Sequence, residues 1–140
     1  MLTAAINLAW RHPSTGIFTT LGSRFDMGLP FDLTDSQGRG LTPEQSREEL
    51  RRRGYSDDVI DLLSLEMEEP GSPDKSVAPH AIFDLAAGID LRPLLGVHAR
   101  LGATVLNVFD TPYLYKFESS FGGTHFGRPR TFMLELEAGL

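Results

Sequence analysis

The chain has 140 residues, about one domain's worth. Its 13 Lys and Arg against 19 Asp and Glu leave a formal net charge of −6, which argues against a nucleic-acid partner. It has no cysteine, so disulfides, thiolate-bound zinc and thiol nucleophiles are excluded; 41% hydrophobic residues exclude a disordered chain, and 14 Gly and 9 Pro disfavour a helical bundle.

The first residues, from Met1 to Asn7, have neither a charged opening nor a long apolar core, so no ordinary signal peptide is expected on the chain as given. Ala4, Ile6, Leu8 and Trp10 alternate with Ala5, Asn7, Ala9 and Arg11. That period of two predicts a strand with one apolar face. His12 to Gly16 reads as a turn, with Pro13 and Gly16 supplying its backbone angles. Ile17, Thr19, Leu21, Ser23, Phe25 and Met27 then predict a second strand, the least apolar of the set. Residues 28–78 form a long loop with a helical insert over about 42–67. Thr42-Pro43-Glu44-Gln45 has the order of a helix start: a Thr cap, Pro at the first position and Gln three after the cap. This helix should run to about Arg53 and stop at Gly54. A second helix is expected from the Ser56-Asp57-Asp58 cap to about Met67, with Val59, Ile60, Leu62, Leu63 and Met67 on its apolar side.

A third strand follows at 81–91, where Ala81, Phe83, Leu85, Ala87, Ile89 and Leu91 share a face. The link from Arg92 to Gly96 leads into a fourth strand at 97–105, with Val97, Ala99, Leu101, Ala103 and Val105 on one face. A second long link runs from about Asp110 to Arg130. Phe132, Leu134 and Leu136, alternating with Met133, Glu135 and Glu137, mark a fifth strand. Strands of about ten residues are the length that a tilted strand needs to cross a bilayer, whereas soluble strands usually run about five or six. Short turns after the first and third strands alternate with long loops after the second and fourth, as in transmembrane barrels. Trp10 at one strand end, and Phe109, Tyr113, Tyr115 and Phe117 at the other, fit the aromatic girdles of such barrels. The fold class expected is therefore all-β: an antiparallel up-and-down transmembrane β-barrel segment of about five strands, with a helical hairpin in one long loop. Five strands cannot close a membrane barrel, so the chain is expected to be incomplete alone. The rival reading is a soluble β-domain with a helical insert, acting as a binding module.

Val105-Leu106-Asn107-Val108-Phe109-Asp110, then Tyr113, then Gly127-Arg128-Pro129-Arg130-Thr131-Phe132 and a terminal amphipathic strand resemble the C-terminal end of TonB-dependent outer-membrane receptors. Arg24 to Pro30 is similar to a receptor strand running into an extracellular loop. Such barrels usually end in an aromatic residue, whereas this chain ends Ala138-Gly139-Leu140, with Leu140 in the lipid-facing parity. The resemblance implies a place in the cell outer membrane, in the wall of a barrel of about 22 strands that encloses a plug. It implies active uptake of a chelate, cobalamin or glycan. The implied partners are outer-membrane lipid and lipopolysaccharide, the rest of the barrel and plug, and TonB through a further N-terminal part. Residues 28–78 and the 110–130 link would carry ligand contacts from outside.

No catalytic, cofactor or metal residues are expected. His12, His80, His98 and His125 form no metal-ligand pair; His80 and Asp84 would be about 13 Å apart along a strand. Glu135 and Glu137 are read as a cross-strand ladder with His98 and Arg100 rather than an acid/base pair. Gly38-Arg39-Gly40 lacks the strand-to-helix context of a phosphate loop, and no Gly-x-Ser-x-Gly elbow occurs. Arg47, Arg51, Arg52 and Arg53 on the first helix are read as a solvated face beside Glu44, Glu48 and Glu49, with lipopolysaccharide or another anion as the sharper reading.

Overall fold

A computed structural model of the chain describes residues 2–31, 33–34, 37–65, 75–119 and 123–139. The protein is mostly antiparallel β-sheet, and it divides into two compact units. A sheet unit comprises Thr3–Phe25, Ala81–Thr111 and Arg128–Leu140. An insert unit comprises Met1–Leu2, Asp26–His80 and Pro112–Gly127.

The long strands lie where the alternation puts them. They are β1 (Thr3–Arg11), β2 (Ile17–Asp26), β6 (His80–Asp90), β7 (Ala99–Leu106) and β10 (Thr131–Ala138). They form one five-stranded sheet in chain order, β1-β2-β6-β7-β10, an open meander with β1 and β10 at its edges. The turn after β1 is closed by His12 N–H donating to Ile17 O at 2.8 Å. The link after β6 is one short helical turn, α3 (Arg92–Leu95), ended by Gly96. Asp90 N–H donates to Gly16 O at 3.0 Å, so both short connections lie at the same end of the sheet. Strand register then puts like with like. Ala87, Ala103 and Leu134 form one row, and Leu85, Val105 and Phe132 the next. On the opposite face Gly88 meets Gly102, and the Phe18 ring occupies the space that a side chain at Gly88 would fill.

The insert unit corrects the picture of two long loops. Besides its helices it contains β3 (Pro30–Phe31), β4 (Leu63–Ser64) and β5 (Lys75–Val77), paired in the order β3-β5-β4. The 110–130 link folds as a two-stranded ladder, β8 (Leu114–Ser119) with β9 (Gly123–Phe126). Leu33, Leu50, Ile60, Leu63, Leu65, Val77, Leu114 and Phe117 make a buried core. These strands are too short, and their ladders too irregular, to leave a period of two in the sequence.

Helix α1 (Pro43–Arg52) has the expected start. Thr42 Oγ1 accepts from Gln45 N–H at 3.3 Å, and Gln45 Oε1 accepts from Thr42 N–H at 3.0 Å. This capping box uses two backbone donors that a helix start would otherwise leave bare. At the other end Tyr55 N–H donates to Leu50 O and Gly54 N–H to Arg51 O, with Gly54 at φ +93°. That is a Schellman stop, and it needs a residue that accepts positive φ. The second helix is shorter than the sequence implies. Helix α2 (Asp57–Ile60) ends before Leu62, because Leu63 and Ser64 pair with Val77 and Ser76 of β5. Strand pairing overrides helical spacing there, and the expected end at Met67 lies outside the described residues.

Thr42→Ala should cost the insert unit about 1 kcal/mol. The loss should appear as faster hydrogen exchange at the first amides of α1, with the sheet unit's exchange unchanged.

Candidate functional site

The two faces of the five-stranded sheet differ in kind. One face carries Ile6, Leu8, Trp10, Leu21, Phe25, Leu85, Leu101, Phe132, Leu134 and Leu136, all exposed. Leu134 is 90% exposed, Leu136 73% and Phe132 72%. A core would bury such side chains, and leaving just these three in water forgoes on the order of 5–9 kcal/mol. Contiguous apolar surface of this extent marks a contact with a membrane or another protein.

The opposite face is polar, and its charges gather at the short-turn end. Arg11 pairs with Asp90 at 2.5 Å. Asp90 also accepts from the Arg92 backbone N–H at 3.0 Å. The expected ladder is half realised. Arg100 lies directly across from Glu137, and Gly102 across from Glu135. Yet among the described residues Arg100 closes on no carboxylate; its guanidinium sits over the Phe18 ring, 4.2 Å from the centroid. His98 Nδ1 accepts instead from the Arg92 guanidinium at 2.6 Å.

Residues that carry the receptor resemblance act as fasteners. Asn107 is buried and left-handed, at φ 51°. Its Nδ2 donates to Thr111 O and Arg128 O, its Oδ1 accepts from Thr111 N–H, and its own N–H donates to Asp84. Asp110 Oδ1 accepts from Arg130 N–H at 2.8 Å. The end of β7 is thus tied to the segment that opens β10. In the insert unit, the Tyr113 ring covers Gly127 so closely that a Cβ there would fall inside it.

Two of the expected girdle aromatics are not at an interface. Tyr113 and Phe117 are buried, and Phe117 packs on Phe31 and Tyr55 with centroids 4.8 and 5.0 Å away. Phe117 on β8 turns into the insert core, and Tyr113, just before β8, packs on His80 and over Gly127, uses of aromatics that girdle placement alone does not reveal. Trp10, Phe109 and Tyr115 are exposed.

The basic helix face is neutralised. Arg47 pairs with Asp61, Arg51 with Asp57, Arg52 with Glu49, and Arg53 with Glu49 and Glu118. Among the described residues, Glu49 is the acid of this helix that takes part; Asp57, Asp61 and Glu118 come from later in the chain. Hydrogen bonds from Arg53 and then Arg52 lower the Glu49 pKa. The histidines lie apart in function. His12 Nδ1 accepts from Thr15 N–H, His125 is exposed on β9, and His80 donates from Nδ1 to Ala78 O and stacks on Tyr113. Among the described residues no three His, Asp or Glu gather to hold a metal.

Lys75 escaped the sequence reading. It is 1% exposed in β5, with its Nζ donating to Leu41 O at 2.9 Å. Burial lowers its pKa. A lone lysine in a polar, Pro-rich stretch has no sequence signature for this.

Comparison with protein-family models, with the curated proteins and with the solved structures finds no match to this chain. The reading of the site therefore rests on its own geometry.

Two outcomes follow. Asn107→Ala removes three side-chain hydrogen bonds and should cost about 2–4 kcal/mol in urea unfolding of the sheet unit. For Lys75, the unfolded chain holds a proton that the folded amine gives up more readily. Stability should therefore rise with pH from the lowered folded pKa up to the ordinary value of 10.5. Lys75→Met should flatten that rise in urea midpoints taken across the alkaline range.

Proposed function

We propose that this chain is a wall segment of an outer-membrane barrel of the TonB-dependent receptor kind, working with the rest of that barrel in active uptake of a chelate, cobalamin or glycan. The observation that carries the reading is the five-strand apolar face, exposed along every strand and backed by a charged, glycine-bearing face. In lipid that face would be solvated by acyl chains and the charged face would line a lumen. β1, β2 and β6, at 9, 10 and 11 residues, have spanning length, and β7 and β10 fall slightly short at 8. Both short connections share one end, as periplasmic turns do.

On this reading the sheet edges β1 and β10 join the remaining strands, since an open edge in hydrocarbon leaves backbone groups unsatisfied at several kcal/mol each. The long connections, 28–78 and 110–130, would carry the ligand and lipopolysaccharide contacts. The plug and the TonB-contacting segment belong to the rest of the receptor. Transport is an act of the whole barrel, and this chain contributes wall and loops without catalysis.

The test is membrane assembly. In a Gram-negative host, Leu134→Arg, Leu101→Arg or Leu85→Arg should block assembly of the barrel, since an arginine on the lipid face costs about 2–4 kcal/mol at mid-depth. Recovery of the unaltered chain as a monodisperse protein in detergent-free buffer would sink the proposal. It would favour the soluble β-domain with a binding insert, for which the closed core of the insert unit speaks. Sequencing the DNA upstream of Met1 in the same frame checks whether plug and further strands are encoded there.

A further inference from the structure

Within the sheet unit, a depression of about 260 Å³ opens at the short-turn end of the polar face, between β6, β7 and β10. Arg92, His98, Arg100 and Glu137 line it, with Asp90 and Gly139. Two of its arginines differ from most of the paired ones. Arg11, Arg47, Arg51, Arg52, Arg53 and Arg130 each have a carboxylate partner. Among the described residues, Arg92 and Arg100 have none.

Arg100 and Glu137 are direct cross-strand partners, placed where opposite charges normally close on each other. They stay apart, with the depression between them. Phe18 holds the Arg100 guanidinium by its flat face, which leaves the edge N–H groups to donate elsewhere. Arg92 donates to His98 Nδ1, so the neutral imidazole carries its proton on Nε2. Asp90 is engaged by Arg11 and the Arg92 N–H and also lies within reach of the Arg92 charge, whereas among the described residues Arg100 bonds to no carboxylate. Gly139 puts no side chain into the space.

We infer that this depression binds a small hydroxylated organic anion of the sugar-phosphate or sugar-acid class. Arg92 and Arg100 donate to its anionic group in the charge-assisted way that guanidinium suits. Glu137, an acceptor only, takes hydrogen bonds from its hydroxyls. A bare anion would be repelled by Glu137, so the hydroxyls are what make that carboxylate a contact rather than an obstacle. The site lies on the polar face whether the apolar face meets lipid or a protein, so it stands independently of the uptake reading.

The test uses the full chain in dodecyl-maltoside micelles, titrated with glucose 6-phosphate, inorganic phosphate and glucose. Binding is followed by amide shifts in two-dimensional NMR. Glucose 6-phosphate should bind saturably and shift His98, Arg100 and Glu137, more tightly than inorganic phosphate and with no effect from glucose. Arg92→Gln and Arg100→Gln should each weaken it about ten- to a hundredfold. Glu137→Gln should weaken glucose 6-phosphate while leaving inorganic phosphate equal or tighter. No saturable shift at millimolar probe overturns the site. So does binding that both arginine variants retain, or shifts confined to residues away from the depression. Equal affinity for the two phosphates would also overturn it, because the hydroxyl contacts would then contribute nothing.

Discussion

The apolar face of the five-stranded sheet is the constraint on which the rest depends. Register aligns Leu85, Val105 and Phe132 in one row and Ile89, Leu101 and Leu136 in another, so their side chains emerge together. A slip of one residue in any ladder would turn a strand's apolar set to the charged side. The sheet unit therefore fixes its registers firmly. A tight turn joins β1 to β2, one helical turn joins β6 to β7, and the Asn107 and Asp110 bonds hold the end of β7 to the start of β10. The last of these compensates for a long connection, where a turn cannot set the register.

The polar face is ordered by a different balance. Gly88 makes room for one large ring, Phe18, and that ring in turn positions Arg100. Packing, not pairing, decides where this guanidinium lies. The neighbouring Arg11 and Asp90 do pair, because nothing comes between them. A face built in this way keeps charged groups apart at one point and joined at the next. Such a face suits a lumen or a ligand surface better than a sealed interior.

The insert unit follows ordinary globular rules. An apolar cluster from segments far apart in sequence fills its centre, and arginines tie its helices and β8 together at the surface. Lys75 stands out within it, since its buried amine is met by the Leu41 carbonyl where an isolated charge is costly. Polar sheet face, apolar sheet face and globular insert thus obey three separate solvation regimes within one chain.

The sequence by itself determined the local and periodic features. Period-two alternation located all five long strands within a residue or two, and Thr42-Pro43-Glu44-Gln45 with Gly54 located α1, because backbone geometry and capping are set by neighbours along the chain. It also put Arg100 on the same face as Glu135 and Glu137 of the neighbouring strand, while the register that sets it across from Glu137 came from the structure. Only tertiary structure decided the rest. Leu63 and Ser64 looked helical until β5 paired with them as a strand. Tyr113 and Phe117 looked like interface aromatics until an insert core enclosed them. Lys75 became buried, and Arg100 turned from Glu137 to Phe18, through contacts between residues distant in sequence. Such contacts depend on which surfaces meet in space, and no local pattern records that.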